Sequence, residues 1–576
     1  QGRNQANVHL DVHRQTKIRE FHVWSISPDG RQYEMKDSEY SEVGYDGGGV
    51  AFDDLKARQA QAPAADPGAV IAYEYEQQVR PYATELTLFC QDSVPILSQS
   101  ITLELPPGYT YGTVWAHHDA VPPVDLEGGR WLWEMKNTPA IDLAHVPLAP
   151  SPDSLAARIT IHYAGPGIAM ATAGTWQSIG EWYSHLTKDR FQPTPEITAE
   201  AQQLTAGKTD FYDKAQAIGE FVQKQVRYFA IEVGIGGYQP HAAGDVFRNR
   251  YGDCKDKATL VVAMLSSVGI HAALMMVDTD RGVVDPQAPS LIGDHMISAI
   301  EVPAGYTSPR LHSIVTATDG RRYLIFDPTW DQTPFGQLED NLQGSYGILM
   351  EGAQTQAIQL PILPPDLNTI RRTASFQLAS DGNLKGTITE KLFGDVSEHR
   401  RQVYSMADAK QQQDFLNLAL EHDFTIFTAS DVKTENVHAL NKDFTLSFTL
   451  SADNYAKTMG TLIMVRPRVL GSLIIPADQK RRTVPVNLGQ TMQDTDDYSI
   501  QLPAGYKVDE LPDPVKVDLG FAAYQSAVEV KGDVLHYTRT FTVRQVTLPA
   551  SRYADLQRLD GIIHADEQSS AILKKQ

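Results

Sequence analysis

The sequence predicts a multi-domain α+β protein: an N-terminal β-sandwich over residues 1–168, a central α+β core over 169–358, and a C-terminal β-sandwich with a helical insertion over 359–576. Three observations predict it. Alternation of apolar and polar residues dominates both ends of the chain; helical patterns and one continuous apolar run replace it in the middle; and 576 residues exceed what one hydrophobic core accommodates. The composition, 42% apolar, 21% charged and 9% aromatic, is that of a folded protein with apolar surface enough for several cores.

The N-terminal strands come first. "VIAYEYE" at Val70, "ITLELPPGY" at Ile101 and "RITIHY" at Arg158 alternate with a period of two and are punctuated by Gly and Pro. "QAQAPAADPGA", Gln59 to Ala69, reads as an exposed loop. The period then changes: Trp176, Ile179, Tyr183 and Leu186 share one helical face, as do Phe211, Ala215, Ile218 and Val222. "PILPPDLN", Pro361 to Asn368, is a proline-rich hinge, after which strand patterning returns in "ASFQLASDGNLKGTITEKL", "FTLSFTL" and "VLHYTRTFTV", interrupted by a helical insertion at about Val396 to His422. "ITLELPPGYTY" at Ile101 is echoed by "YSIQLPAGYKV" at Tyr498, each a strand closing in a Pro-x-Gly-Tyr turn, which suggests two related sandwiches.

Charge and cysteine usage exclude several classes. Seventy-one acidic against fifty basic residues leave a formal charge of -21, a surface that repels phosphate backbones, so nucleic acid is not an expected partner. No stretch reaches the roughly 18 consecutive apolar residues of a membrane helix, so no transmembrane segment is expected. Gln1 stands where an initiator Met would, which points to a signal peptide removed ahead of it, and hence a periplasmic or otherwise extracytoplasmic setting, or to a cut of another origin. Two cysteines, Cys90 and Cys254, allow at most one bridge and no four-cysteine zinc site; Cys90, in "ATELTLFCQ", reads as a small apolar filler. "GIGGY" lacks the spacing and the Lys of a phosphate loop, and no H-E-x-x-H occurs.

The candidate chemistry lies in "NRYGDCKDKATLVVAML". Asp253 is a good N-cap, Asp256 completes a capping box, and Ala258 to Val268 is an apolar helix closed by Gly269, so Cys254 is the first helical residue. There the unpaired N–H groups and the positive helix end stabilise a thiolate and can hold the oxyanion formed when it attacks a carbonyl. Asp253, Lys255, Asp256 and Lys257 should make this helix start polar and partly wet. The two aspartates oppose a thiolate, so activation needs a positive partner such as histidine. His295 opens the period-two strand "HMISAIEV", and Asp327 ends the strand "RRYLIF" ahead of Pro328. If those strands pair and pack on the Cys254 helix, sulfur, imidazole and carboxylate align as nucleophile, base and orienter. His271 and His312 are rival bases.

"RYGDCKDKATLVVAMLSSVGIHA", then "DHMISAIEV", then "RRYLIFDPTW", resembles the transglutaminase-like superfamily, whose Cys, His and Asp sit in that order at a helix start and on two following strands. "VGIGGYQPHAA" and "PFGQLEDNLQGSYGILM" are similar to the bacterial branch that carries a domain of unknown function, DUF3857, ahead of the core; "PGAVIAYEYE" and "YSIQLPAGYKVDELP" are similar to its flanking β domains. The resemblance implies a papain-like core in which Cys254 attacks an amide carbonyl, His295 relays the proton and Asp327 holds His295, with no metal and no cofactor. It also implies an aromatic residue beside the oxyanion, for which Tyr238 is the candidate and Tyr228 the reserve.

The expected function is cysteine-dependent acyl transfer or hydrolysis of peptide or glutamine-type amides through a thioester on Cys254, with a peptide or protein as substrate. Hydrolysis is favoured because an extracytoplasmic enzyme meets water more often than a dedicated amine. Fold does not fix the reaction. The alternative is a weak or inactive extracytoplasmic binding or scaffold protein for a protein or glycan ligand, its two sandwiches flanking a relic site.

Overall fold

The computed structural model describes residues 4–12, 16–36, 39–44, 50–53, 56–168, 172–232, 234–473, 475–476 and 481–576; Gln1, which carries the expectation of a removed leader, lies outside them. The chain divides into two units, one of residues 1–145, 151–331 and 345–360, the other of residues 146–150, 332–344 and 361–576. No helix among the described residues is long and apolar enough to cross a membrane.

The N-terminal part of the first unit is β-rich, as the alternation predicts, and its strands form short sheets. Thr16–Ile26 pairs with Val70–Val79 and Gln32–Glu34; Arg158–Ala164 lies between Thr110–Ala116 and Glu85–Phe89; Arg130–Thr138 lies between Val124–Asp125 and Ile96–Glu104. Apolar side chains gather in two cores, one around Val8, Leu10, Phe21 and Val23, the other around Cys90, Trp133, Ile159 and Ile161. The Ala/Pro stretch is less exposed than expected. Its first residues belong to the strand Lys56–Gln61, and Ala60 and Ala62 are small enough to sit buried in the first core.

Next come the helices α1 (Trp176–Thr187), α2 (Pro195–Thr205), α3 (Phe211–Gln225), α4 (Ala243–Asn249) and α5 (Cys254–Ser266). Thr175, Thr194 and Asp210 cap the first three by accepting the N–H of the residue three places on. Phe211, Ala215, Ile218 and Val222 form the buried face of α3, and α5 is buried along its length to Leu265. Behind α5 stands an antiparallel sheet of six strands in the order Ile314–Thr316, Arg322–Phe326, His295–Val302, Ala272–Val277, Tyr346–Met350, Gln356–Gln359. α5 packs on its two central strands, His295–Val302 and Ala272–Val277. All six residues of Ala272–Val277 are buried, so that strand is apolar throughout instead of alternating.

The second unit is built on an eight-stranded sheet. Its centre is the parallel pair Thr369–Leu378 and Met492–Gln501; the other pairings are antiparallel. The helical insertion is a pair, α6 (Glu398–Met406) and α7 (Ala409–Leu420), and a further helix, α8 (Tyr553–Glu567), has no counterpart in the sequence reading. The two Pro-x-Gly-Tyr turns do match locally: Tyr109 N donates to Pro106 O and Tyr506 N to Pro503 O, with φ positive at Gly108 and Gly505. The strands they close differ, since Ile96–Glu104 is an edge strand and Met492–Gln501 lies inside its sheet.

Register explains a buried charge cluster in this sheet. Arg372 lies opposite Asp496, and Asp496 opposite Arg539. Arg372 Nη1 donates to Asp494 Oδ1 at 2.6 Å and Asp496 Oδ1 at 2.7 Å; Arg539 Nη2 stands 2.8 Å from Asp496 and 3.1 Å from Asp494. Burial pushes the Asp494 carboxyl up to about 6 against the pull of both arginines. Replacing Arg539 by Met should leave two buried carboxylates sharing one guanidinium and lower stability by about 3–5 kcal/mol, read as a fall in the urea midpoint of this unit.

Candidate active site

The site begins at a sharp turn. Arg250 closes α4 with a left-handed backbone, φ 57°, its guanidinium 4.1 Å from the Phe247 ring centroid and its N–H bonded to Val246 O. The turn lays Tyr251–Gly252 in parallel beside Arg227–Tyr228, with Phe229 N donating to Gly252 O at 2.9 Å. Residue 252 has to be glycine, because a Cβ there would stand 2.6 Å from Asp256 Cβ. The chain then enters α5 through the capping box the sequence predicts: Asp253 Oδ1 accepts Asp256 N at 3.2 Å and Asp256 Oδ2 accepts Asp253 N at 3.3 Å.

One expectation is overturned. The first turn of α5 is polar but not wet, since Asp253, Lys255, Asp256 and Lys257 are all buried. Burial is tolerated because each charge has its own partner. Lys255 Nζ lies 2.5 Å from Asp253 Oδ2. Burial raises the Asp253 carboxyl to about 6, opposed by Lys255. Asp256 accepts from His241 twice, from its backbone N at 2.7 Å and from Nδ1 at 2.9 Å, and this hydrogen bond raises the His241 imidazole above its ordinary value. Lys257 Nζ donates to Val226 O at 2.7 Å and Gln223 O at 3.4 Å; burial lowers its ammonium to about 8, against the charges of Asp327 and Asp331.

Cys254 opens this turn, 7% exposed, and its sulfur faces His295 closely enough to favour the charged imidazole. His295 stands at the start of its strand, partly exposed, and its Nε2 lies 2.7 Å from Asp327 Oδ2, which leaves Nδ1 for the sulfur side. Asp327 is buried just past the strand Arg322–Phe326, whose Phe326 pairs with Ser298. Its other oxygen accepts Thr329 N at 2.7 Å and Thr329 Oγ1 at 2.6 Å, so the Asp-Pro-Thr turn fixes the carboxylate. Burial opposes a charged imidazole, but the Asp327 carboxylate and the Cys254 sulfur together raise His295 well above its ordinary value. Asp327, despite its burial, is held below the usual carboxylate range by His295 and Thr329.

The remaining sequence candidates fall elsewhere. His271 Nε2 pairs with Glu351 Oε1 at 2.8 Å, and His312 sits in the turn before Ile314–Thr316. Tyr238 packs edge-on against Trp182 at 5.8 Å and tilted against Tyr82 at 6.2 Å, and no described contact joins it to Cys254, His295 or Asp327. Tyr228, the reserve, lies opposite Gly252, two residues before Cys254, with its side chain exposed. Cys90 is a free, buried thiol in the second N-terminal core, raised by burial. Thr329 and His241 escaped the sequence reading, and Lys257 was read there as part of a wet helix start; the Thr two places after Asp327 in "DPTW" was a signal for the first. Among the described residues no group of three His, Cys, Asp or Glu side chains is placed to hold a metal ion.

An antiparallel sheet backed by a buried helix, with cysteine at the helix mouth and histidine and aspartate on neighbouring strands, defines a transglutaminase-like core. The family comparisons agree: residues 198–328 match the transglutaminase-like superfamily, residues 10–142 match the domain of unknown function DUF3857, and residues 462–573 match DUF3858, also of unknown function. The chain thus carries a transglutaminase-like domain at its centre, with DUF3857 ahead of it and DUF3858 behind it. Among solved structures, it is similar to a protein from Parabacteroides distasonis described as a "putative protease", with 13% identity, a TM-score of 0.61, and coverage of 99% of this chain and 92% of that one. At that identity the likeness shows the fold. A "putative cysteine protease" from Cytophaga hutchinsonii overlaps 56% of this chain and 79% of its own at 11% identity and a TM-score of 0.19. No curated protein matches the chain.

The imidazolium should therefore persist well past the ordinary histidine value of about 6.5. Its contribution to folding stability is complete below that pH and is lost as pH rises through the raised value. Following the His295 ring resonance by NMR against pH checks this, and Asp327→Asn should bring the midpoint down.

Proposed function

We propose that this protein is a cysteine-dependent enzyme of acyl transfer or hydrolysis, acting on peptide or glutamine-type amides through a thioester on Cys254. One observation carries the reading: His295, bonded to the Asp327 carboxylate through Nε2, faces the Cys254 sulfur at the mouth of a buried helix. The Cys254 thiolate attacks the amide carbonyl, and the oxyanion that forms lies at the first N–H groups of α5. His295, protonated, gives its proton to the leaving nitrogen as the C–N bond breaks, and the acyl group stays on sulfur as a thioester. Water then attacks the thioester, His295 takes its proton, and the carboxylic acid leaves as the sulfur is restored; an amine in place of water gives a cross-linked amide.

Asp327 is the orienter of His295. Tyr228 suits the oxyanion role better than Tyr238, because its backbone runs beside Gly252 while the Tyr238 ring is engaged with Trp182 and Tyr82. Its ring and that of Trp330, both exposed, offer apolar surface to an incoming peptide. The description of the Parabacteroides distasonis protein of similar fold as a "putative protease" fits hydrolysis as the outcome.

Iodoacetamide tests the nucleophile, because Cys90, fully buried, should not compete. At near-neutral pH the native protein should take one label, Cys254→Ala should take none, and His295→Gln should slow labelling by about 10²-fold. Unchanged labelling in Cys254→Ala would count decisively against the reading.

A further inference from the structure

Lys257 lies one turn along α5 from Cys254 and is 1% exposed. Its ammonium is bonded to main-chain oxygens, Val226 O at 2.7 Å and Gln223 O at 3.4 Å. Those carbonyls end α3, where a helix leaves acceptors without intrahelical donors and where a cation is favoured. The chain that leaves them is Arg227–Tyr228, the strand that runs beside Tyr251–Gly252 on the approach to Cys254. The end of α3 is also tied to the far side of the site, because Gln223 Nε2 donates to Trp330 O at 2.7 Å, three residues beyond Asp327. The carboxylates whose charge Lys257 faces are Asp327 and Asp331 in that same segment. One buried cation on the Cys254 helix thus holds the end of α3 and faces the segment of Asp327.

We propose that Lys257 is a positioning residue for the Cys254 site: it clasps the end of α3 so that Arg227–Tyr228 lines the approach to the sulfur, and its charge sets the field at the Asp327–His295 pair. This rests on the reading of Cys254 as a nucleophile assisted by His295. The groups that face the pair are Cys254 and Asp327 beside His295, and Asp327 and Asp331 beside Lys257. Removing the cation strengthens the hold of the Asp327 carboxylate on the His295 proton.

The test uses the full chain with Lys257→Met, which keeps the length and discards the charge, and Lys257→Arg, which keeps the charge. Three quantities are read: amide exchange over residues 227–229, the rate of iodoacetamide labelling of Cys254, and the pH at which that rate shows its upper inflection, set by His295. In Lys257→Met, exchange over 227–229 should quicken while exchange in Met492–Gln501 stays unchanged. Labelling should slow on the order of tenfold, and the upper inflection should move to higher pH. Lys257→Arg should keep the native inflection.

A folded Lys257→Met with native labelling and an unmoved inflection overturns the proposal, as does a Lys257→Arg whose inflection moves as far as that of Lys257→Met. Should Lys257→Met fail to fold, Lys257→Gln, a neutral donor to the same carbonyls, decides: a raised inflection supports the proposal and an unmoved one overturns it. If labelling of the native protein proves independent of His295, the reading of function fails by itself. The exchange at 227–229 then still judges the clasp.

Discussion

The site depends on a polar helix start that is buried and fully paired. The five positions after Gly252, four of them charged and the fifth Cys254, would be costly to bury if any charge lacked a partner. Each has one. Lys255 turns back to Asp253, Asp256 reaches the loop before α4 through His241, and Lys257 reaches the end of α3. The first turn of α5 therefore joins two earlier segments, the loop at His241 and the end of α3, and the cysteine it carries is aimed by both. A nucleophile on a solvated, frayed helix end would lack that precision.

The electrostatics of the site follow from the same pairing. With Asp253 answered by Lys255 and Asp256 by His241, the negative charge next to the sulfur is largely spoken for, and the imidazolium of His295 is left to the sulfur and to Asp327. The Asp327 carboxylate is in turn fixed on its second oxygen by the Thr329 N–H and hydroxyl. Every group that orients the imidazole is thus itself oriented by a hydrogen bond from the backbone or from a neighbour that cannot turn.

The parts of this arrangement that depend on local chemistry were legible in the sequence. The capping box at Asp253 and Asp256, the strand starting at His295 and the strand ending before Asp327 follow from residue types at fixed spacing, and each element forms where that spacing puts it. What could not be read is what long-range packing decides. The charges of "CKDK" look solvated until α3 and the loop at His241 are seen to cover them. α8 escaped because Gly561 and its scattered polar residues weaken the helical pattern, and the strand Ile314–Thr316 because three residues carry too little periodicity. The echo between the Pro-x-Gly-Tyr turns was real as a turn and uninformative about the strands, whose places are set by partners far along the chain.

The parallel pair at the centre of the eight-stranded sheet has a consequence for how the chain is made. Thr369–Leu378 finds one neighbour at once, in the hairpin with Leu384–Phe393, but its other neighbour, Met492–Gln501, emerges from the ribosome more than a hundred residues later. Until then one flank of the sheet stays open, and Arg372 waits there without Asp494 or Asp496. A nascent chain halted in that interval exposes an open β edge on which Arg372 has only Glu390, across the hairpin, to answer its charge.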